Sequence, residues 1–338
     1  MNKEDYYKSL IASTIDCQNI KTDIQDRDIL IYGAYPGGKV LLDWLNKSHL
    51  TVAGFIDAKK SGQIYEGLKV CQPSVLDRSQ YYVIVAVNGL IPEIIEYLKR
   101  NNYQELSDYI YPFSKIPIVR VSYLNADYND DYGNRIHVSD DFYGDIQLKG
   151  WNNSVDIGYG ITPDTLRLTL EGGSTVRVGD YFKSDDSLTV RINAMQGATI
   201  ELGRRCYIES NSQVFSRGGI ISIGDNFEAG DGLYILNDDN SICQIENDCM
   251  LSRCISILSC DGHPIFSSEA DSDQRNFVRI HEHCWLGAGV YIIHDSEIME
   301  GCIVGAGSVV KGVFEKNKIL AGNPAAVVKS NVSWDKHG

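Results

Sequence analysis

A six-residue step constrains this chain more than any other feature. Aliphatic side chains stand at Ile280, Leu286, Ile292, Ile298, Val304 and Val310, six in succession. The same step links Leu202, Ile208, Val214 and Ile220, then Ala229 and Ile235, then Ile245, Leu251 and Ile257. A helix would repeat near 3.6 residues and a strand at 2, so this longer period belongs to a repeated structural unit. Six residues make a short strand and a turn, and three such units close one triangular coil with the aliphatic residue pointing inward from each side. The expected fold of residues 135–330 is therefore a hexapeptide solenoid, an all-β left-handed parallel β-helix. Left-handed winding opposes the usual crossover preference, so only a regular repeat can specify it. Between Ile136 and Val190 the spacing is irregular, in Val155-Asp-Ile-Gly158 and Val176-Arg-Val-Gly179, and the first coils are expected to be longer.

The cysteines fit the same frame. Cys206, Cys249, Cys284 and Cys302 each follow an aliphatic anchor by four positions, where a coil corner takes a small buried residue. The nine cysteines include no CxxC pair, their number is odd and nothing marks the chain for secretion, so reduced thiols are expected.

Ahead of the repeat the pattern differs. Asp28 to Tyr32 reads as a buried strand, Gly33 to Gly38 as a turn, Lys39 to Leu45 as helix and Val52 to Ile56 as a second strand ending at Asp57. Tyr82 to Val87 and Ile91 to Arg100 continue the alternation, which predicts a small Rossmann-like α/β domain over residues 1–123 with a helical lead-in. The polar stretch 124–134 reads as a linker and 331–338 as a C-terminal tail. Gly33, Gly37 and Asp57 are the candidate nucleotide-contacting residues, since a glycine turn after a strand with an acid further on is the layout of a dinucleotide site. Tyr35 replaces the middle glycine of that fingerprint, and its Cβ hinders close approach of a pyrophosphate.

At 338 residues the chain has room for two domains. A net charge of −14 argues against nucleic-acid binding. The longest apolar runs fall far short of the roughly 20 residues that cross a bilayer, and the polar start lacks a signal-peptide core, so a soluble cytoplasmic protein is expected.

The rhythm breaks between Ile257 and Ile280, and a solenoid accommodates such an insertion as a loop thrown outward from a corner. His263 lies near its root. A neutral imidazole can take a proton from a hydroxyl during attack, worth roughly 10²- to 10⁴-fold in rate. A surface turn histidine is the bland reading of the same residue. Two rival chemistries draw on nearby residues: a Cys260–His263 nucleophile pair, and zinc held by His263 with His281, His283 and His294.

Asp261-Gly-His-Pro-Ile-Phe266, His283-Cys-Trp-Leu-Gly-Ala288, Val304-Gly-Ala-Gly-Ser-Val-Val310 and Ala321-Gly-Asn-Pro-Ala325, in this order, resemble the left-handed β-helix acyltransferases, most closely the sugar and polysaccharide O-acetyltransferases. The resemblance covers roughly residues 140–330. It implies a homotrimer that binds acetyl-CoA in the groove between adjacent solenoids, needs no metal, and acts on a carbohydrate or nucleotide-sugar acceptor. It also implies His263 as general base, Trp285 at the thioester end, and Gly287, Ala288, Ala306 and Gly307 along the donor, with Lys311 meeting its phosphates. Asp261 is then either the residue that orients the imidazole or a turn former. The N-terminal domain is similar to those of nucleotide-sugar N-acetyltransferases, so N-acetylation of a nucleotide-linked amino sugar stands beside O-acetylation. A non-catalytic scaffold in glycan assembly and a nicotinamide-dependent oxidoreductase are the alternatives from other classes.

Overall fold

The structure, a computed structural model, describes residues 20, 23–24, 26–86, 91–105, 107–111, 118–161, 166–184, 189–238, 241–261 and 276–336. The chain divides into two compact units, and the boundary falls just ahead of the strand Ile118–Leu124.

The first unit is an α/β sheet. Its elements are β1 (Asp28–Tyr32), α1 (Pro36–Lys47), β2 (Val52–Ile56), β3 (Ile64–Tyr65), β4 (Leu68–Cys71), β5 (Tyr81–Val85), α2 (Ile91–Arg100) and β6 (Tyr109–Ile110). The strand order is β3-β4-β2-β1-β5-β6, parallel except for the β3–β4 hairpin. β1 and β5 are central, which is why each reads as an unbroken apolar run with Ile31, Val83, Ile84 and Val85 fully buried. Strand order reverses across β1, since β2 lies on one side of it and β5 on the other.

The second unit is a three-faced parallel β-solenoid. One face runs from Phe142–Lys149 through Leu166–Glu171, Val190–Met195, Gln213–Arg217, Tyr234–Asn237 and Ser256–Leu258 to the start of Tyr291–Ile298. The next stacks Arg135–Val138, Ser154–Ile157, Thr175–Val178, Thr199–Leu202, Ile220–Ile223, Ile242–Ile245 and Phe277–Ile280. The third consists of two-residue strands from Tyr207–Ile208 to Ile303–Val304 and ends on Lys318–Gly322. Their inward residues form one continuous core from Ile136 to Leu320.

The coil length is not uniform. Val214 stacks on Ile192 twenty-two positions earlier, Ile235 on Val214 after twenty-one, and Ile257 on Ile235 after twenty-two. Only near the end does the step fall to eighteen, from Ile292 to Val310. Longer corners account for the difference, and they slip the phase. Ile220 does not point inward as the six-residue step predicts: it is 47% exposed, while Ile221 and Ile223 fill the core. The glycine pair Gly218-Gly219 takes up the corner, so the strand opens on an outward position.

Two boundary expectations are corrected. Ile118–Leu124 pairs antiparallel with Phe142–Lys149, so it closes the start of the solenoid instead of ending the α/β domain. The stretch 124–134 is not a free linker. Tyr128–Asn129 pairs with Arg135–Val138, and buried Asn134 donates to Asp130 Oδ2 and the Gly150 carbonyl at 3.0 Å each. Its Asp and Asn residues spend their polarity on turns inside the fold.

Candidate functional site

The insertion leaves the solenoid without disturbing it. Ile242–Ile245 and Phe277–Ile280 stay in register, so the chain departs from and returns to the same corner between the first and second faces. The coil interior turns polar as it nears that corner. Along the inward row, Leu148, Leu170 and Ala194 give way to Ser216, Asn237 and Ser259, all buried. Asn237 Nδ2 donates to Ser216 Oγ at 3.0 Å and to the Ser241 carbonyl at 3.2 Å, and Ser259 Oγ donates to Asn237 Oδ1 at 2.5 Å. Such a ladder satisfies groups that burial would otherwise penalise.

His263 and residues 262–275 lie outside the described residues. Asp261, at the root, is described, and its Oδ1 lies 3.0 Å from Nε2 of His294 in the following coil. The other nitrogen of His294, Nδ1, lies 2.9 Å from Asp295 Oδ2. Cys260 is buried in the corner beside them.

The other expected donor-side residues occupy a different corner. Trp285 opens the third-face strand Trp285–Leu286 and is 37% exposed, so it is not core. Gly287 and Ala288 follow it into the turn toward the first face, and Ala306 and Gly307 stack beside them in the next coil: Gly287 N–H donates to the Val304 carbonyl and Gly307 N–H to the Ala288 carbonyl, both at 2.8 Å. A Cβ on Gly287 would sit 2.7 Å from the Ala306 nitrogen, so close stacking of the coils requires glycine there. Lys311 is exposed at the first-to-second-face corner, the corner of Asp261 and His294. The structure thus brings together Trp285, Gly287, Ala288, Ala306 and Gly307, and separately Asp261 with Lys311, with a first-face strand between the two groups.

Residues missing from the sequence reading border the third face. Trp334 stacks on His283 with ring centroids 4.2 Å apart and lies 5.9 Å from Trp285. Lys336 pairs with Glu228 at 3.1 Å and donates to the Asn226 carbonyl. Residues 331–336 are therefore a strap across the corner between the second and third faces, not a loose tail. A shallow groove of about 360 Å³ beside Trp285 is lined by Tyr207, Glu209, Glu228 and Met250.

In the α/β unit, the turn that starts at Gly33 lies beside Asp57, and Gly37 falls in the first turn of α1. Gly33 has φ 122° and a Cβ on Gly38 would lie 2.1 Å from the Gly33 carbonyl oxygen, so the turn is too tight for side chains at its ends. Asp57 is buried and accepts from Lys59 N–H at 2.9 Å and Ala34 N–H at 3.4 Å, which ties the two loops together. The Lys60 ammonium lies 4.0 Å from the centre of the Tyr35 ring.

His281 and His283 have partners of their own. His281 sits between Glu297 at 3.0 Å and Glu246 at 3.2 Å; burial, which lowers its pKa, is outweighed by these carboxylates, and the net shift is upward. His283 holds Trp334. The predicted cysteine column is buried as expected, each thiol donating to a backbone carbonyl of its own or the following coil, as Cys249 does to His281 at 3.1 Å and Cys302 to Glu315 at 3.2 Å. Phe182 and Phe227 occupy the same buried corner column, alternating with Cys206 and Cys249.

Comparison with known proteins agrees with this architecture. Residues 277–312 match the family model described as bacterial transferase hexapeptide (six repeats). The polysialic acid O-acetyltransferase of Escherichia coli O1:K1 is 30% identical over 123 residues, 36% of this chain and 40% of that protein. The galactoside O-acetyltransferase of Escherichia coli K12 is 31% identical over 125 residues, 36% of this chain and 60% of that enzyme. The crystal structure of the polySia-specific acetyltransferase NeuO aligns over 60% of this chain and 85% of its own at 23% identity and a TM-score of 0.38. No described helix is long and apolar enough to cross a membrane. The solenoid unit of this chain carries the hexapeptide repeat of bacterial transferases and is similar over part of its length to proteins named as O-acetyltransferases.

Proposed function

We propose that the protein is an acetyl-CoA-dependent O-acetyltransferase acting on a sugar hydroxyl of a bacterial surface polysaccharide or its precursor. The observation that carries the reading is the corner insertion: the chain leaves and rejoins the stack at one corner with the flanking strands in register, and the sequence places the histidine of the quoted Asp-Gly-His-Pro motif in it, two residues after Asp261. Relatives named as O-acetyltransferases support the reaction class.

His263 takes the proton of the acceptor hydroxyl as its oxygen bonds to the thioester carbonyl carbon. The backbone N–H near Ala288 faces the oxygen on which charge develops. The carbon–sulfur bond then breaks, the thiolate leaves with the proton returned by His263, and the acetyl group stays on the sugar. A thioester is already activated, so positioning and charge stabilisation suffice and no metal is needed. Because the Trp285 and Asp261 corners lie on either side of a first-face strand, a homotrimer that sets one chain's donor corner against the next chain's loop would complete the site. A cytoplasmic location fits a donor made in the cytoplasm.

The test is release of free CoA thiol from acetyl-CoA with a panel of sugar acceptors. His263→Ala should abolish transfer with folding intact, whereas full turnover without His263 would overturn the assignment. We read the α/β unit as Rossmann-like, on the order reversal at β1 and the Gly33–Gly38 turn beside Asp57. That turn favours the second reading, N-acetylation of a nucleotide-linked amino sugar. Acetylation of UDP-amino sugars, lost in Gly33→Arg, would select it.

A further inference from the structure

We infer that His294 is a positioning residue, which fixes the root of the insertion by bridging Asp261 and Asp295; this rests on the reading of His263 as the base. The two ring nitrogens each lie within hydrogen-bonding distance of a carboxylate oxygen, Nε2 of Asp261 Oδ1 at 3.0 Å and Nδ1 of Asp295 Oδ2 at 2.9 Å, so one ring links the two acids. His294 is only 12% exposed, which keeps water from competing.

The local backbone is built for this arrangement. In earlier coils the same corner turns on glycine, at Gly173, Gly197 and Gly218, each with positive φ. In the coil that follows the insertion, His294-Asp295 stands there, and Asp295 adopts φ 62°. A left-handed conformation costs a residue with a side chain about 1–2 kcal/mol, so something local must compensate. The strand Tyr291–Ile298 also breaks register between Ile292 and Ser296, at His294 and Asp295. Asp295 Oδ1 is buried with no hydrogen-bond partner among the described residues. The irregularity, the strained acid and the bridged histidine all fall where the chain leaves the solenoid. Asp261 stands two residues before His263, so holding its carboxylate sets where the next residues start.

The distinction between positioning and catalysis is open to kinetics on the full-length protein. His294→Ala and Asp261→Asn should each lower kcat/KM for the acceptor by about 10- to 100-fold, the scale of misplacing a reacting group by an ångström. KM for acetyl-CoA should stay within about two-fold, and the double variant should lose little more than either single one, because both remove the same contact. His294→Gln keeps a hydrogen-bonding side chain between the acids and should recover part of the loss. Unchanged kinetics in His294→Ala, or additive losses in the double variant, would overturn the proposal. Abolished turnover in His294→Ala with turnover retained in His263→Ala would overturn it too, by making His294 the base. Should no acceptor support turnover even in the parent, the proposed function fails separately. Limited proteolysis then decides on its own: cleavage between Asp261 and Asn276 should be several-fold faster in His294→Ala, and equal rates would refute the bridge.

Discussion

Trp334 lies flat on His283, 10° from parallel, and the two residues exchange hydrogen bonds: Trp334 Nε1 donates to the His283 carbonyl at 2.8 Å, and His283 Nε2 lies 3.1 Å from the Trp334 carbonyl. His283 stands in a column of left-handed residues with Arg205, Asn226, Asp248 and Asn317, one per coil. The strap crosses this column, from Val332 N–H on the Asn317 carbonyl to Lys336 on Asn226.

Removing the Trp334 ring should cost about 1–3 kcal/mol, from a stacked pair and a hydrogen bond lost together. Urea unfolding of Trp334→Ala measures it. Hydrogen exchange should rise first along residues 331–336, and a uniform rise over the whole solenoid would contradict a local strap.

Gly287 and Gly307 look alike in the sequence but should respond differently to alanine. At Gly287 the new methyl meets backbone of the next coil, so Gly287→Ala should lower stability by about 1–3 kcal/mol. At Gly307 the space is open and only the positive φ of 70° resists, at about 1 kcal/mol. Thermal melts of the two variants should separate accordingly, and a Gly307→Ala protein that folds should bind acetyl-CoA more weakly if pantetheine runs past that turn.

The phase slip at the Gly218-Gly219 corner is checked by neighbouring isoleucines. Ile221→Ala removes fully buried methyls and should cost about 2–5 kcal/mol, whereas Ile220→Ala should fall within about 0.5 kcal/mol. Equal losses would restore the strict six-residue register.

Burial pushes the Cys206 and Cys243 thiols up to about 12, from an ordinary value near 9. The unfolded chain therefore gives up these protons first as pH rises. Their contribution to stability is complete below about pH 9 and is lost as pH climbs toward 12. Denaturant midpoints should fall across that window and fall less in Cys243→Val. At pH 8, exposed Cys254 should react with a thiol reagent in seconds, while the buried column reacts only on unfolding.

Sequence periodicity determined the solenoid because the core demands an apolar residue wherever the chain turns inward. Ile280, Leu286, Ile292, Ile298, Val304 and Val310 are all buried to within 1% as that demand requires. The corner thiols were legible for the same reason, since four positions after the anchor the chain always turns inside the stack. The α/β alternation was legible too, and so was the insertion between Ile257 and Ile280. Tertiary structure alone decided how many residues each corner consumes, and so why Ile220 faces out. It alone put His294 against Asp261, Trp334 against His283, and the Gly287 and Gly307 turns at a different corner from Asp261. Those pairs lie 33 and 51 positions apart, between chain segments that no local pattern relates. A repeat fixes which side of a coil a residue occupies, because that is local geometry; which residues meet across coils depends on the summed lengths of all the turns between them.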